Sequence, residues 1–162
     1  MTDNLTPEQR SYCMSRIRSK DMTPELAVRS MTHRMGFRFR LHRKDLPGKP
    51  DLTLARHRAV IFVHGCFWHW HQDPDCPIAG LPKSNLEYWT PKLTRTRERD
   101  NEHLSALHEL GWRTLVVWEC ELRNSDAVFD RLQHFLLAEA VADPARLSYP
   151  RVVATAGTGL DA

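Results

Sequence analysis

The fold is decided by the stretch Ala59-Val60-Ile61-Phe62-Val63-His64-Gly65-Cys66. Its first five residues form an unbroken apolar run, which is typical of a strand buried on both faces in the middle of a sheet. His64 ends the run, and a polar, aromatic-rich loop follows to about Leu86. The pattern therefore predicts a central strand whose carboxyl end leads into a loop rich in histidine, cysteine and tryptophan.

Segments on both sides of this strand alternate between helical and extended patterns. The pairs Thr6-Pro7, Thr23-Pro24 and Thr90-Pro91 each place a helix-capping residue before a proline, which is typical of a helix start. The predicted helices span 7–19, 24–35, 90–110 and 126–140, and the predicted strands span 37–42, 51–55, 59–63 and 114–118. Because a few strands lie between flanking helices, the predicted class is α/β with a central mixed sheet.

Length and composition indicate one folded domain. The chain has 162 residues, of which 41% are hydrophobic and 27% charged, so a largely disordered chain is excluded. We expect the domain over 1–142 and a mobile tail over 143–162. No apolar run approaches the ~18 residues of a membrane span, and the amino terminus lacks the apolar core of a signal peptide. We therefore expect a cytoplasmic protein whose four cysteines are metal ligands or buried thiols rather than disulfides.

The charged residues are distributed unevenly along the chain. Residues 29–58 contain nine Lys or Arg against two Asp or Glu, whereas residues 98–145 contain four against ten. A basic block of this kind favours an anionic partner, and nucleic acid is the first candidate. The alternative is an ordinary solvated surface, which charge alone does not exclude.

The loop after the central strand carries metal-ligand residues at regular spacing. Cys66, His71 and Cys76 are separated by four residues each time, and Cys120 follows the predicted strand 114–118. If the two strands are neighbours, these four side chains make a closed tetrahedral set of the kind that binds structural zinc. The alternative is a few buried thiols and a surface histidine. Cys13, in the first predicted helix, is left unassigned.

A second candidate metal position involves oxygen atoms. In a hairpin centred on His57, Asp51 would face Val63, so the Asp51 carboxylate and the Val63 main-chain carbonyl could share one Mg²⁺ ion. His64 and His69 follow at the same edge, where His69 could activate water for metal-assisted hydrolysis of a phosphodiester. On this pattern alone, an ordinary acid at the start of a strand and structural histidines are the simpler interpretation.

Glu25 and the loop aromatics each allow two interpretations. An acid in the first turn of a helix complements the helix dipole, and this is the simpler role for Glu25. Phe67 and Trp68 could stack on bases or insert between base pairs. They could equally belong to a small apolar cluster over the zinc, which is the role that we expect for Trp70.

These segments together resemble the very short patch repair endonucleases, from about Met14 to about Leu136. The resemblance rests on three motifs: Leu46-Pro47-Gly48-Lys49-Pro50-Asp51, Val60-Ile61-Phe62-Val63-His64-Gly65-Cys66-Phe67-Trp68-His69, and Glu109-Leu110-Gly111-Trp112-Arg113 running into Val117-Trp118-Glu119-Cys120. It implies a single domain related to type II restriction endonucleases, with a structural zinc. It also implies a Mg²⁺-dependent nick in one strand of double-stranded DNA beside the T of a T:G mismatch, which arises when 5-methylcytosine is deaminated.

The resemblance also implies roles for individual residues. Asp51 matches the metal-binding aspartate of the family, His69 its catalytic base, and His64 and Glu25 its supporting active-site groups. The zinc ligands implied are Cys66, His71, Cys76 and Cys120. Phe67 and Trp68 match an aromatic wedge that enters from the major groove, and Met14, on the helix 7–19 that would contact DNA, matches a residue that enters from the minor groove.

Two other functions compete with a mismatch endonuclease. A zinc-stabilised DNA-binding module without catalysis would have no use for a carboxylate aimed at phosphates, which argues against it. A general restriction endonuclease of the same fold would be expected to dimerise, whereas we expect this chain to be a monomer. Mismatch-repair proteins are candidate partners, and the sequence does not specify the preferred bases around the mismatch.

Overall fold

The computed structural model of the protein describes residues 21–81 and 85–142, together with Thr6, Glu8, Gln9 and Tyr12. The helix start predicted at Thr6-Pro7 has a capping box, because the Thr6 amide donates to Gln9 Oε1 at 3.0 Å and the Gln9 amide donates to Thr6 Oγ1 at 3.3 Å. Cys13, Met14, most of the predicted helix 7–19 and the predicted tail 143–162 lie outside the described residues.

The sheet has four strands in the spatial order β1, β2, β3, β4. Their bounds are Arg40–Leu41 for β1, Leu52–Leu54 for β2, Ala59–His64 for β3 and Arg113–Trp118 for β4. β2 pairs antiparallel with β1 and with β3, whereas β4 runs parallel to β3 from Ala59 to His64. The mixed sheet predicted from the sequence is confirmed.

Helices cover both faces of this sheet. α1 spans Thr23–Arg34, α2 spans Leu86–Glu109 and α3 spans Ser125–Ala142, with short 3₁₀ helices at Ala55–His57 and Glu119–Arg123. Residues of α1 and α3 form one core with Ala59 and Ile61, while Leu107 of α2 forms the other with Val60 and Phe62. Alternate residues of β3 thus enter opposite cores, which explains why the run is apolar without interruption.

Two elements differ most from the sequence prediction. The strand predicted over 37–42 has only two paired residues, because its partner β2 is itself three residues long. α2 begins at Leu86, so Pro91 lies inside the helix rather than at its start. The added turn carries Trp89, whose ring packs on Phe67 and Trp68, so tertiary contacts outweigh the helix-breaking effect of the proline.

The hairpin of β2 and β3 also differs from its predicted register. Leu52 pairs with Ile61 and Thr53 with Val60, so the register is shifted by one residue from a hairpin centred on His57. The 3₁₀ helix Ala55–His57 and the left-handed Arg58 (φ 46°) form an asymmetric connection, which accounts for the shift. Among the described residues, no helix is long and apolar enough to cross a membrane.

Candidate active site and metal centre

A cleft of about 730 Å³ opens at the carboxyl end of β3, between α1, α2 and the turn that precedes β2. The cleft collects every candidate for catalysis that the sequence indicated. Its lining includes Glu25, His42, Lys44, Lys49, Asp51, Val63, His64, Trp68, His69, Asp100, His103 and Glu119. Residues that are far apart in the chain therefore face one solvent-accessible space.

His69 is held by an acid that the sequence prediction did not identify. Its Nδ1 lies 2.5 Å from Oδ2 of Asp100. Asp100 lies on α2, 31 residues after His69 in the sequence. Burial raises the pKa of Asp100, but the hydrogen bond with His69 and the nearby charges outweigh burial and hold that pKa below its ordinary value. An ionised Asp100 only accepts hydrogen bonds, so in the neutral His69 ring the proton is on Nδ1 and the lone pair is on Nε2.

His64 stacks flat on His69 at the end of β3. The two ring centroids are 3.9 Å apart with planes 6° apart, and Trp118 meets His64 edge-on at 5.2 Å. Burial of His64, together with the neighbouring His69, lowers the pKa of His64 to about 3. His64 is therefore neutral at neutral pH, and it supports the His69 ring rather than contributing a positive charge.

Asp51 lies in the cleft just before β2. Its Oδ2 accepts a hydrogen bond from the Val63 amide at 2.7 Å, so Asp51 and Val63 are neighbours despite the shifted register. Burial raises the pKa of Asp51 and the like charge of Glu25 adds to this, whereas the Val63 hydrogen bond and the electrostatic interactions with His42 and Arg29 act the other way. A buried carboxylate beside a second acid fits a site for a hard cation, which would supply the missing positive charge.

Glu25 has more than a helix-dipole role. It is buried in the first turn of α1, and its Oε2 accepts from Arg29 Nη2 at 2.8 Å and from the Asp21 amide at 3.0 Å. Arg29 Nη2 also lies 3.0 Å from His42 Nε2. His42 follows β1 and directs its other ring nitrogen, Nδ1, towards Asp51 Oδ1 at 3.7 Å.

Cys66, His71, Cys76 and Cys120 come together in space. Their candidate ligand atoms all lie within 4.8 Å of one another, and Cys120 Sγ is 3.5 Å from His71 Nδ1. The parallel pairing of β3 and β4 brings their carboxyl ends side by side, which places Cys120 next to the loop as predicted. A set of three sulfurs and one imidazole at these separations could bind zinc.

Burial and hydrogen bonds act differently on the thiols of this cluster. Burial raises the pKa of the Cys66 thiol to about 12. Burial likewise raises the pKa of Cys76, but hydrogen bonds from the Ile78 main chain, His71 and the other thiols outweigh burial and lower it to about 7. A metal ion would hold the buried Cys66 sulfur as a thiolate, which is the ligand form that zinc requires.

The predicted wedge residues belong to an aromatic group at the edge of the cleft. Phe67 meets Trp68 edge-on at 5.0 Å, and Trp89 of α2 lies 5.2 Å from Phe67 and 6.1 Å from Trp68. Lys92 lies 5.1 Å from the Trp89 ring centroid. The sequence prediction missed Trp89 because it placed the start of the helix after this residue.

The sequence matches the family model described as DNA mismatch endonuclease Vsr over residues 2–75. It is 54% identical over 136 residues to the type II nicking enzyme V.XorIIP of Xanthomonas oryzae, covering 84% of this chain and 98% of that protein. It is 37% identical over 147 residues to the DNA mismatch endonuclease Vsr of Escherichia coli, covering 88% of this chain and 92% of that protein.

The fold has a counterpart among solved structures. The catalytic domain of the homing endonuclease I-Bth0305I aligns with a TM-score of 0.50 at 22% identity, covering 74% of this chain and 98% of that domain. This likeness identifies a restriction-endonuclease-like fold, as the sequence predicted. Because the relatives match over nearly their whole length, the chain belongs to the Vsr family of DNA mismatch endonucleases.

Proposed function

We propose that the protein nicks one strand of double-stranded DNA beside the T of a T:G mismatch that arises from deamination of 5-methylcytosine. The observation that carries the proposal is one cleft lined by Asp51, Glu25, the His69–Asp100 pair and Trp68, on which Phe67 packs. Carboxylates and an oriented imidazole suit hydrolysis of a phosphodiester, and the aromatics suit contact with unstacked bases. The relatives are named as nicking enzymes and as a mismatch endonuclease, which agrees with DNA nicking.

His69 is the general base in this proposal. Asp100 fixes the proton on Nδ1, so the Nε2 lone pair is available to take a proton from an attacking water. His64, neutral and stacked on His69, limits rotation of the imidazole. The pair resembles the arrangement in which a buried aspartate orients a histidine and stabilises the imidazolium that forms after proton transfer.

Asp51 is the residue that would hold a catalytic Mg²⁺, with the main-chain carbonyl of Val63 as a second oxygen ligand. When bound, the ion would stabilise the charge that develops on the phosphate oxygens. Glu25 lines the same cleft, where Arg29 donates a hydrogen bond to its carboxylate and keeps it in place. Glu25 would add a second carboxylate to the cleft near the cation that Asp51 would hold.

Zinc has a structural role in the proposal. A closed set of Cys66, His71, Cys76 and Cys120 has no free ligand position for water, so it would not hydrolyse DNA. It would instead fix the loop 64–76, which contains no helix or strand beyond the end of β3. That loop carries His69 and the proposed wedge residues Phe67 and Trp68. The zinc site would therefore keep these side chains at fixed positions relative to one another.

Phe67 and Trp68 are the proposed wedge, with Met14 entering from the opposite groove. Separating stacked base pairs costs a few kcal/mol per step, and a T:G pair, being less stable than a Watson–Crick pair, lowers that cost. We infer that the protein acts as a monomer in the cytoplasm, where the chromosome is, and that mismatch-repair proteins act with it.

A nicking assay tests the proposed function. Duplexes that differ only in a T:G, T:A or C:G pair are incubated with zinc-loaded protein, with Mg²⁺ present or omitted, and the strands are separated on a denaturing gel. Omitting Mg²⁺ is a better control than a chelator, because a chelator would also remove zinc. We expect one nick beside the mispaired T, in the T:G duplex and with Mg²⁺ only.

Two outcomes would contradict the proposal. Cleavage of both strands in the matched duplexes would indicate a general restriction endonuclease. Tight binding of the T:G duplex without cleavage under any divalent cation would indicate a DNA-binding module. If the T:G duplex is nicked as expected, a second series with randomised bases around the mismatch gives the preferred flanking sequence.

A further inference from the structure

We propose that Arg29 and His42 are positioning residues that bridge Glu25 and Asp51, by hydrogen bonds from Glu25 through Arg29 to His42 and by an electrostatic contact from His42 to Asp51, with His42 held as the Nδ1–H tautomer. This inference rests on the proposed function for its meaning, because it concerns how the two carboxylates of the cleft are kept in place. It does not rest on that function for its geometry, which comes from the contacts of Arg29 and His42 alone.

Sheet pairing places His42 beside Asp51. β1 pairs with β2 so that Leu41 faces Leu52, and continuing this register by one residue brings His42 opposite Asp51. His42 has a left-handed backbone with φ of 46°, an uncommon conformation for a residue with a side chain. Such a conformation persists only where the surroundings hold it, and here it accompanies a ring that lines the cleft.

Arg29 holds the other end of the bridge. Its side chain is only 11% exposed, and its Nη2 lies 2.8 Å from Glu25 Oε2 and 3.0 Å from His42 Nε2. One guanidinium nitrogen carries two hydrogens, so Nη2 can donate to both partners at once. Its Nη1 donates to Asp21 Oδ1 at 2.5 Å, which fixes the guanidinium from the outer side.

These contacts determine where the His42 proton lies. A guanidinium has no acceptor atom, so His42 Nε2 must itself be the acceptor of the Arg29 hydrogen bond. The proton of a neutral ring is then on Nδ1, which faces Asp51 Oδ1 at 3.7 Å. That separation is too long for a direct hydrogen bond, so the Nδ1–H dipole acts on Asp51 electrostatically.

The bridge has a consequence for both carboxylates. Glu25 and Asp51 repel each other as like charges, yet the proposed reaction needs both of them ionised in one cleft. Arg29 neutralises Glu25 directly and acts on Asp51 through His42. Removing either bridge residue should therefore weaken metal use, by the roughly 10–100-fold typical of partners that orient metal ligands.

The ring of His42 gives a direct test that does not depend on catalysis. Long-range proton–nitrogen NMR of the full, zinc-loaded chain without Mg²⁺ distinguishes the two neutral tautomers and the imidazolium. We expect the Nδ1–H tautomer in the wild type and its loss in Arg29→Ala. Arg34→Ala, which removes an arginine of the same helix that lies over Phe129 instead, should leave the His42 tautomer unchanged. An Nε2–H or doubly protonated ring in the wild type at neutral pH would overturn the bridge.

Nicking rates then test its role. His42→Gln keeps an amide acceptor and an N–H donor, so it should retain far more activity than His42→Leu. Arg29→Ala and His42→Leu should each raise the Mg²⁺ concentration needed for half-maximal nicking by about 10-fold. The double variant should show the same shift rather than the product of the two, because both changes break one bridge. Independent, multiplying effects would refute the bridge, whereas absence of nicking by the wild type would refute only the proposed function.

Discussion

The Asp100 carboxylate contacts Nδ1 of His69, which is not the nitrogen proposed to act as the general base. An orienting acid of this kind can be replaced with almost no change in shape, because asparagine is nearly isosteric with aspartate. Its replacement should nevertheless have a large effect on the rate, since an amide can donate to Nδ1 and so favour the wrong tautomer. The pair is therefore a sensitive place to test the role of His69.

Asp100→Asn should lower the single-turnover nicking rate by ~10²–10⁴-fold, the usual contribution of a general base. DNA affinity should change little, because Asp100 is half-buried under His69. Glu102→Gln is the matched control, since Glu102 is an exposed acid two residues along the same helix. Equal, small losses in both variants would show that His69 does not act as a base.

Asp51→Asn should abolish nicking while leaving binding to a T:G duplex largely intact. The amide has no charge with which to hold the cation, and metal activation is worth several kcal/mol. Single-turnover rates at saturating Mg²⁺ and fluorescence anisotropy of labelled DNA measure the two properties separately. Wild-type turnover in Asp51→Asn would remove Asp51 from the metal site, and Asp126→Asn, in the exposed first turn of α3, is the control.

At the scale of elements, the turn before β2 is fixed against α2 by one glycine. Gly48 has φ of +70°, and a Cβ at this position would lie 3.0 Å from Nδ1 of His103. The imidazole of His103 thus occupies the space that any other residue would need. Asp51 follows three residues later, so the position of the turn on α2 also sets the position of the carboxylate.

Gly48→Ala should reduce the free energy of unfolding by about 1–2 kcal/mol from the left-handed backbone alone, with the contact to His103 adding to this loss. Gly80→Ala is the control, because a Cβ there meets nothing within 4 Å. Urea unfolding of both variants gives the comparison. A Gly48→Ala variant as stable as Gly80→Ala would show that the turn can move away from α2.

The stability of the loop 64–76 is expected to depend on bound zinc. Cys120→Ser should lose bound zinc and lower the thermal midpoint, because metal binding and folding of such a loop are coupled. Elemental analysis of protein purified without chelator measures the zinc, and we expect one ion per chain in the wild type. Cys13→Ser, which changes the cysteine outside the cluster, should keep its zinc. A wild type without zinc would contradict the assignment.

Elements with strong local signals were predicted well from the sequence. The apolar run at 59–63 and the cap-then-proline signal at Thr23-Pro24 gave β3 and α1 to within one residue at each end. The start of α2 was wrong, since Pro91 is tolerated inside a helix that Trp89 anchors to the loop. The register of the hairpin was wrong by one residue, because the 3₁₀ turn after β2 left no distinct pattern in the sequence.

The candidate site was predicted in part for a similar reason. Cys66, His71 and Cys76 lie close enough in the chain for their spacing to indicate a metal cluster. Asp100, Arg29 and His42 act through partners on other elements, so no local spacing marks them. In the sequence, Asp100 is one of many charged residues on a polar helix. Only the packing of α2 on the loop, which brings Asp100 to His69, distinguishes it from the others.

At the scale of the whole molecule, charge and shape should contribute differently to DNA binding. The basic block 29–58 supplies Lys44 and Lys49 to the cleft, and these charges attract any duplex. The wedge should act mainly where a base pair is weak, because the cost of opening a step depends on the DNA. Affinity and discrimination are therefore expected to be separable by mutation.

Trp68→Ala should weaken binding to a T:G duplex far more than binding to a matched duplex. The lost stacking is worth roughly 1–3 kcal/mol per base. Lys44→Ala should instead weaken both complexes alike and reduce the salt dependence of binding. Both affinities are measured at one salt concentration, and an unchanged ratio in Trp68→Ala would assign Trp68 to the packing of the zinc loop rather than to mismatch recognition.

The order of residues in the chain affects when a nuclease of this design becomes active. A nascent chain whose first 76 residues have left the ribosome contains Asp51, His69 and three members of the zinc cluster, but it lacks Asp100 and Cys120. Neither the oriented base nor the closed metal set can form in it. Unfinished chains and products of premature termination are thus expected not to nick DNA.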